Sequence, residues 1–248
     1  MRKLILITLA VGLLAAPTFA AAEGLPSSKA TFAYDELVAL QSGCSSPGCT
    51  ADSDWQVILR QQIKMANQKD LFVDASLQCG IVTDTTVKSL NGSEDSAEAR
   101  GTIRVRVRIT GPDGNVSYAK PDSGVDATNT VVPEGIVFCD RIQTLRAKFS
   151  GLNCTADLTT GAVTCASPEE LQLILKTLNA NAFNFVAPNL VSGVHTIDVQ
   201  ARTSAKVSTL GANGSLGNAN AFIGAGSVAV EAVRMIKGNV GNTLVQFE

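Results

Sequence analysis

The chain has one histidine, one tryptophan, and aromatic residues at only 5% of its 248 positions. With a single histidine, any Ser-His-Asp or Cys-His relay must be built around His195. No G-x-S-x-G turn accompanies it. A site made of several histidines is excluded as a metal centre. So few rings leave few platforms for stacking sugars or bases. No C-x2-C pair occurs, which is the spacing that zinc sites favour, and no D-x-D-x-D-G calcium loop occurs either. An excess of positive charge is also missing. Twenty Lys and Arg face 22 Asp and Glu, a formal charge of −2. Neither nucleic acid nor an anionic membrane is attracted to the molecule as a whole.

Long apolar runs are absent after the first 20 residues. At the start, Arg2 and Lys3 precede an apolar stretch, Leu4 to Ala16, which Pro17 ends. Thr18-Phe19-Ala20 and Ala20-Ala21-Ala22 both fit a signal peptidase site. The stretch is shorter than the roughly 20 residues of a bilayer span. The expectation is a signal peptide over residues 1–22, a single domain over 23–248 and no membrane span. The protein would then be secreted, extracellular or periplasmic. Losing Arg2 and Lys3 takes the formal charge of −2 to about −4.

Six cysteines are present: Cys44, Cys49, Cys79, Cys139, Cys154 and Cys165. An even count behind an export signal points to disulfides. Proximity favours Cys44 with Cys49 around the turn in "CSSPGC", and Cys154 with Cys165 across the hairpin "CTADLTTGAVTC". Cys79 is then left for Cys139.

The dominant hydrophobic period is two. It runs through Trp55–Met65, Leu71–Gln78, Ile103–Ile109 and His195–Ala201. This is the pattern of antiparallel sheets with one dry face and one wet face. His195 shares its side with Ile197 and Val199, so a structural role is expected for it. "GAGSVA", residues 224–229, spells G-x-G-x-x-A without the strand–helix alternation of a dinucleotide site. Gly224 and Gly226 are expected instead to form a turn or bulge entering the strand "SVAVEAVRMI". No cofactor is implied. "NGSEDS", "KPDSGVDATNT" and "GANGSLGNAN" read as polar loops.

One segment carries a different signal. "SPEELQLILKTLNAN" offers Ser167 as N-cap, Pro168 at the first helical position and Glu170 to complete a capping box. Leu171, Ile174, Leu175 and Leu178 recur at helical spacing. One short α-helix over about 168–178 is expected, its apolar stripe packed on the core.

"RVRVR" is the most regular stretch. If Ile103, Val105, Val107 and Ile109 enter the core, Arg104, Arg106 and Arg108 project together from the other face. Such a row is a candidate anion-binding face for sulfated or phosphorylated polymers, or a set of partners for acidic cross-strand neighbours. Replacing an inward valine by aspartate should unfold the protein; replacing the arginines should not. Carboxylates are numerous, but no two stand out as a glycosidase pair. Sequons occur at Asn91, Asn115, Asn153 and Asn213.

"LVSGVHTIDVQARTSA" followed by "AFIGAGSVAVEAVRM" resembles the closing strand pair of exported bacterial jelly-roll domains. It is also similar to the last strands of C1q/TNF-like and phage-fibre sandwiches. The likeness covers about 45 residues. It implies surface or receptor binding and often trimers, but no catalytic motif. The cysteine-bearing hairpin and the expected helix depart from that pattern.

Together these readings give an all-β, antiparallel β-sandwich of jelly-roll type with one short helix. The expected function is that of a secreted or surface-located, non-enzymatic structural or binding protein. Its ligand would be a protein or glycan, and a homo-oligomer is left open. The alternative is an extracellular hydrolase acting on carbohydrate polymers. If export occurs as read, N-terminal sequencing of the exported protein should begin near Ala21 or Glu23; a start at Met1 would refute it.

Overall fold

Period-two alternation organises nearly every residue placed by the computed structural model, which describes residues 29–36, 40–66, 68–90, 93–122, 133–149, 154–165 and 169–235. The expected signal peptide, Ser167 and Pro168 lie outside these residues. Thirteen strands follow: β1 (Ala30–Asp35), β2 (Leu40–Cys44), β3 (Thr50–Asp52), β4 (Gln56–Met65), β5 (Lys69–Ser89), β6 (Glu94–Thr110), β7 (Val116–Tyr118), β8 (Ile136–Lys148), β9 (Cys154–Ala156), β10 (Val163–Cys165), β11 (Glu169–Leu190), β12 (Gly193–Leu210) and β13 (Leu216–Val233).

The first sheet runs β1, β13, β5, β11, with β2 continuing the edge that β1 makes on β13. The second runs β3, β12, β6, β7, with β4 in line with β3 and β8 in line with β7. β9 and β10 form a separate two-stranded hairpin. Taking each collinear pair as one edge gives two four-stranded antiparallel sheets, between which the chain repeatedly crosses. That is the jelly roll.

The core lies between the sheets. Leu71, Val73, Ala75 and Leu77 of β5 share one cluster with Ile103, Val105, Val107 and Ile109 of β6 and with Ile197, Val199 and Ala201 of β12. Each fully buried valine, leucine or isoleucine among them contributes about 1.5–3 kcal/mol. The arginines of β6 therefore face outward, as the alternation requires. The interior becomes polar toward one end. There Thr83 Oγ1 donates to Gln143 Oε1 at 2.7 Å, and Gln143 Nε2 donates to Thr85 Oγ1 at 2.7 Å.

Two disulfides join the expected partners, Cys44 with Cys49 and Cys79 with Cys139. The second ties β5 in one sheet to β8 in the other. Cys154 is also disulfide-bonded, and the hairpin register sets it opposite Cys165. The bulge expected near Gly224 is present, as a register shift between Ile223 and Gly226. It falls where β13 changes edge partner from β2 to β1. The strand itself starts earlier, at Leu216, inside the stretch read as a loop.

The helix expected over 168–178 is not formed. Residues from Glu169 onward belong to β11, paired with β5 from Glu169↔Ser89 through Leu178↔Gly80 and beyond. Leu171, Leu173 and Leu175 also satisfy a period of two, so the pattern permits either structure. The exposed ladder of a 21-residue β5 decides between them, because it offers a backbone partner along the whole segment. Glu170, expected to close a capping box, instead pairs with Lys88 across the strands at 3.3 Å.

The Cys79–Cys139 bridge closes a 60-residue separation. Loop-closure entropy then predicts that Cys79→Ala/Cys139→Ala lowers unfolding free energy by about 4 kcal/mol. Urea denaturation of the double variant measures this, and an unchanged midpoint would contradict it.

Candidate functional site

The outer face of the second sheet is built from the even-numbered residues of β6 and β12 and their neighbours on β3, β4 and β8. At its centre, register sets Asp198 of β12 opposite Arg108 of β6 and opposite Arg60 of β4. The Asp198 side chain is wholly buried beneath them. Arg60 Nε donates to its Oδ1 at 2.6 Å, and Arg108 Nη2 donates to its Oδ2 at 2.6 Å. Burial favours the protonated acid here, but the hydrogen bonds and charges of the two arginines outweigh it and hold the carboxyl below its ordinary range.

Arg106 is engaged as well. Its guanidinium lies 4.1 Å from the Trp55 ring centroid and 5.0 Å from that of Tyr118. It donates from Nε to Gln200 Oε1 at 2.8 Å and from Nη1 to the Pro133 carbonyl at 2.6 Å. Burial lowers its pKa. The segment Pro133–Gly135 sits against this part of the face. Gly135 takes φ of 69°, and a Cβ there would meet the Val105 carbonyl oxygen at 2.6 Å and the Trp55 ring at 2.8 Å. Only glycine fits that approach.

Toward the other end the face opens into a depression of about 290 Å³, lined by Thr50, Asp52, Arg100, Thr102, Arg104, Arg202, Ser204 and Lys206. Arg104 is directly opposite Arg202, and Arg100 is directly opposite Lys206. Like charges facing each other across strands destabilise a sheet. Between the two pairs lie the hydroxyl residues Thr102 and Ser204, themselves opposite one another. Carboxylates compensate the cations only in part. Asp140 accepts from Arg100 Nε and Nη2, both at 3.0 Å, while Glu134 is 3.9 Å from Arg104 and Asp52 is 4.0 Å from Arg202. Lys206 has no ion-pair partner among the described residues.

The three arginines singled out in the sequence thus part company. Arg106 and Arg108 are turned to internal partners, and Arg104 alone joins the open depression. Arg100, Arg202 and Lys206 were not singled out, although a signal for them exists. "RGTIR" and "RTSAK" both read cation-x-hydroxyl-x-cation, which places cation, hydroxyl and cation on one strand face. What the sequence withholds is the register that lays the two motifs side by side.

His195 is 1% exposed, with Nε2 donating to the Val191 carbonyl at 2.8 Å, so it sits in the wall of the sandwich and not in the depression. Among the described residues no cluster of three or more His, Cys, Asp or Glu is arranged to hold a metal ion. No helix there is long and apolar enough to cross a membrane.

No family model matches the chain, and no curated protein matches it. A chain in the structure of infectious bursal disease virus Gx strain aligns with 86% of this chain at 9% identity and a TM-score of 0.17. This chain spans 46% of that one. A likeness at that level carries no argument about fold or function.

Asp198 has a depressed folded-state pKa, so its stabilising contribution is complete above the unfolded value, about 3.9, and is lost as pH falls through the folded value. Asp198→Asn should lower stability at neutral pH by about 1–3 kcal/mol, since both arginines lose a charged acceptor. It should also flatten the loss of stability below about pH 4. Thermal melts across pH decide this; a variant with the parent's Tm at neutral pH would contradict it.

Proposed function

We propose that this is an exported, non-enzymatic binding protein whose second sheet docks a sulfated or phosphorylated glycan on its outer face. The observation that carries the reading is the pair of like-charged cross-strand couples, Arg104 with Arg202 and Arg100 with Lys206, flanking a hydroxyl floor in an open depression. An unliganded sheet gains nothing from such couples, whereas an anion lying across them relieves the repulsion and accepts charge-assisted hydrogen bonds.

The couples are four residues apart, about 14 Å along the strands. One small anion cannot reach both, but a chain with repeated anionic groups can. Ser204 adds a donor for sulfate or phosphate oxygens between them, while the Thr102 hydroxyl donates to Asp140 Oδ1 at 2.6 Å. Arginine suits this task because its planar fork matches tetrahedral oxyanions. Export is supported by the disulfides and by the N-terminal sequence. The hydrolase alternative finds no support in the depression. Among the described residues Asp52 is the only carboxylate lining it; it faces Arg202, and an acid/base pair needs two.

Heparin-agarose provides the test. The parent carries net negative charge, so retention at low salt reports a local site and not overall charge. Arg202→Gln/Lys206→Gln should weaken binding about tenfold or more, as expected for two lost charge-assisted contacts. Arg234→Gln, a change at an exposed cation outside the depression and away from the Asp198 ion pairs, should leave retention nearly unchanged. A parent that flows through at low salt refutes the reading, and so does equal loss in both variants.

A further inference from the structure

β11 is the outermost strand of the first sheet. Among the described residues its outer edge is bridged at one place only, where Lys120 and Val186 exchange backbone hydrogen bonds of 2.7 Å. The C-terminal part of the strand carries the usual guards of an edge: that bridge, a bulge between Ala187 and Leu190, and Pro188. The N-terminal part has none of these. Over Glu169–Leu178 it presents a straight edge with one lysine and no proline, and Leu171, Ile174 and Leu178 are 44, 50 and 60% exposed. A long, apolar, unguarded edge is a template for another strand.

The charges on this segment indicate which strand. Register against β5 puts Glu170, Gln172, Ile174, Lys176 and Leu178 on the outer side, and Leu171, Leu173 and Leu175 on the side toward the opposite sheet. We propose that β11 pairs antiparallel with β11 of a second copy of this chain, about a twofold axis at Leu173. In that register Glu170 of each copy lies directly opposite Lys176 of the other, and Leu171 lies opposite Leu175. Leu173 meets its own counterpart. Both ion pairs form at once because the axis repeats the contact.

No neighbouring register does this. A slip of two residues, the smallest that keeps both faces, sets Glu170 against Ile174 or against Leu178. Parallel pairing sets like charge beside like charge. Lys176 has no ion-pair partner among the described residues, so it is free to take this role. Glu170 already contacts Lys88 at 3.3 Å and would then bridge two lysines. The contact consumes the same edge in both copies, so assembly stops at two.

Sedimentation of the purified chain should give twice the chain mass. Lys176→Glu puts carboxylate against carboxylate, and Glu170→Lys puts ammonium against ammonium. Each single variant should dimerise at least about tenfold more weakly than the parent, since two cross-strand attractions become repulsions. Mixing the two single variants should restore a dimer, because every Lys then faces a Glu. The double exchange Glu170→Lys/Lys176→Glu should dimerise as the parent does, and it keeps the test valid if a single variant folds poorly. A monomeric or trimeric parent overturns the proposal, and so does a dimer indifferent to either single exchange. A double exchange that stays monomeric overturns it too. A parent that remains monomeric would point to another occupant of the edge.

Discussion

Asp198 is the point on which the outer face of the second sheet depends. Among the described residues it is the one buried carboxylate held by arginines from both flanking strands, Arg60 on β4 and Arg108 on β6. A one-residue slip of either neighbour would turn its arginine toward the core and leave the carboxylate buried without a countercharge, at a cost of several kcal/mol. The ion pairs therefore act as a register lock for β4, β12 and β6. That same register, four and eight residues further along β12, brings Arg202 opposite Arg104 and Lys206 opposite Arg100. The unfavourable couples are held in place by the favourable one.

This arrangement divides one basic stripe into two regimes. Where β6 is covered by Trp55, Tyr118 and the Pro133–Gly135 segment, its arginines find aromatic faces, carbonyls and a carboxylate. Where that cover stops, Arg100 keeps Asp140, but Arg104 and Arg202 face only distant carboxylates. Overall charge gives no hint of the division, since acidic residues outnumber basic ones along the chain. Location on the sheet decides which cations are available.

Much of this was legible in the sequence, for identifiable reasons. A side-chain period of two has one physical meaning on a half-buried sheet, so the inward set Ile103, Val105, Val107 and Ile109 and the outward arginines followed from alternation alone. Short cysteine spacings favour two local loops and leave Cys79 for Cys139, which is the pair found. The segment after Ser167 is ambiguous in sequence because Leu171, Ile174, Leu175 and Leu178 fit a helix and Leu171, Leu173 and Leu175 fit a strand. Local pattern cannot weigh a partner ladder lying some 80 residues earlier in the chain, at Gly80–Ser89. The cationic couples were hidden for a related reason: a pairing between residues 100 and 206 is a property of topology, not of any window of sequence.

The β1–β13 pairing joins Ala30 to Glu231 and closes the first sheet with its most distant parts in sequence. A chain emerging N-terminus first cannot complete that sheet until β13, which ends at Val233, has appeared. Until then β1 and β2 have no strand to lie on, and the inner face of β5 is only partly covered. Chain closures of this length are slow to form, because the entropy of joining distant segments must be met before their contacts contribute. Completion of the first sheet is accordingly a late step. Until β13 arrives, β5 has an unpaired edge that another chain can reach.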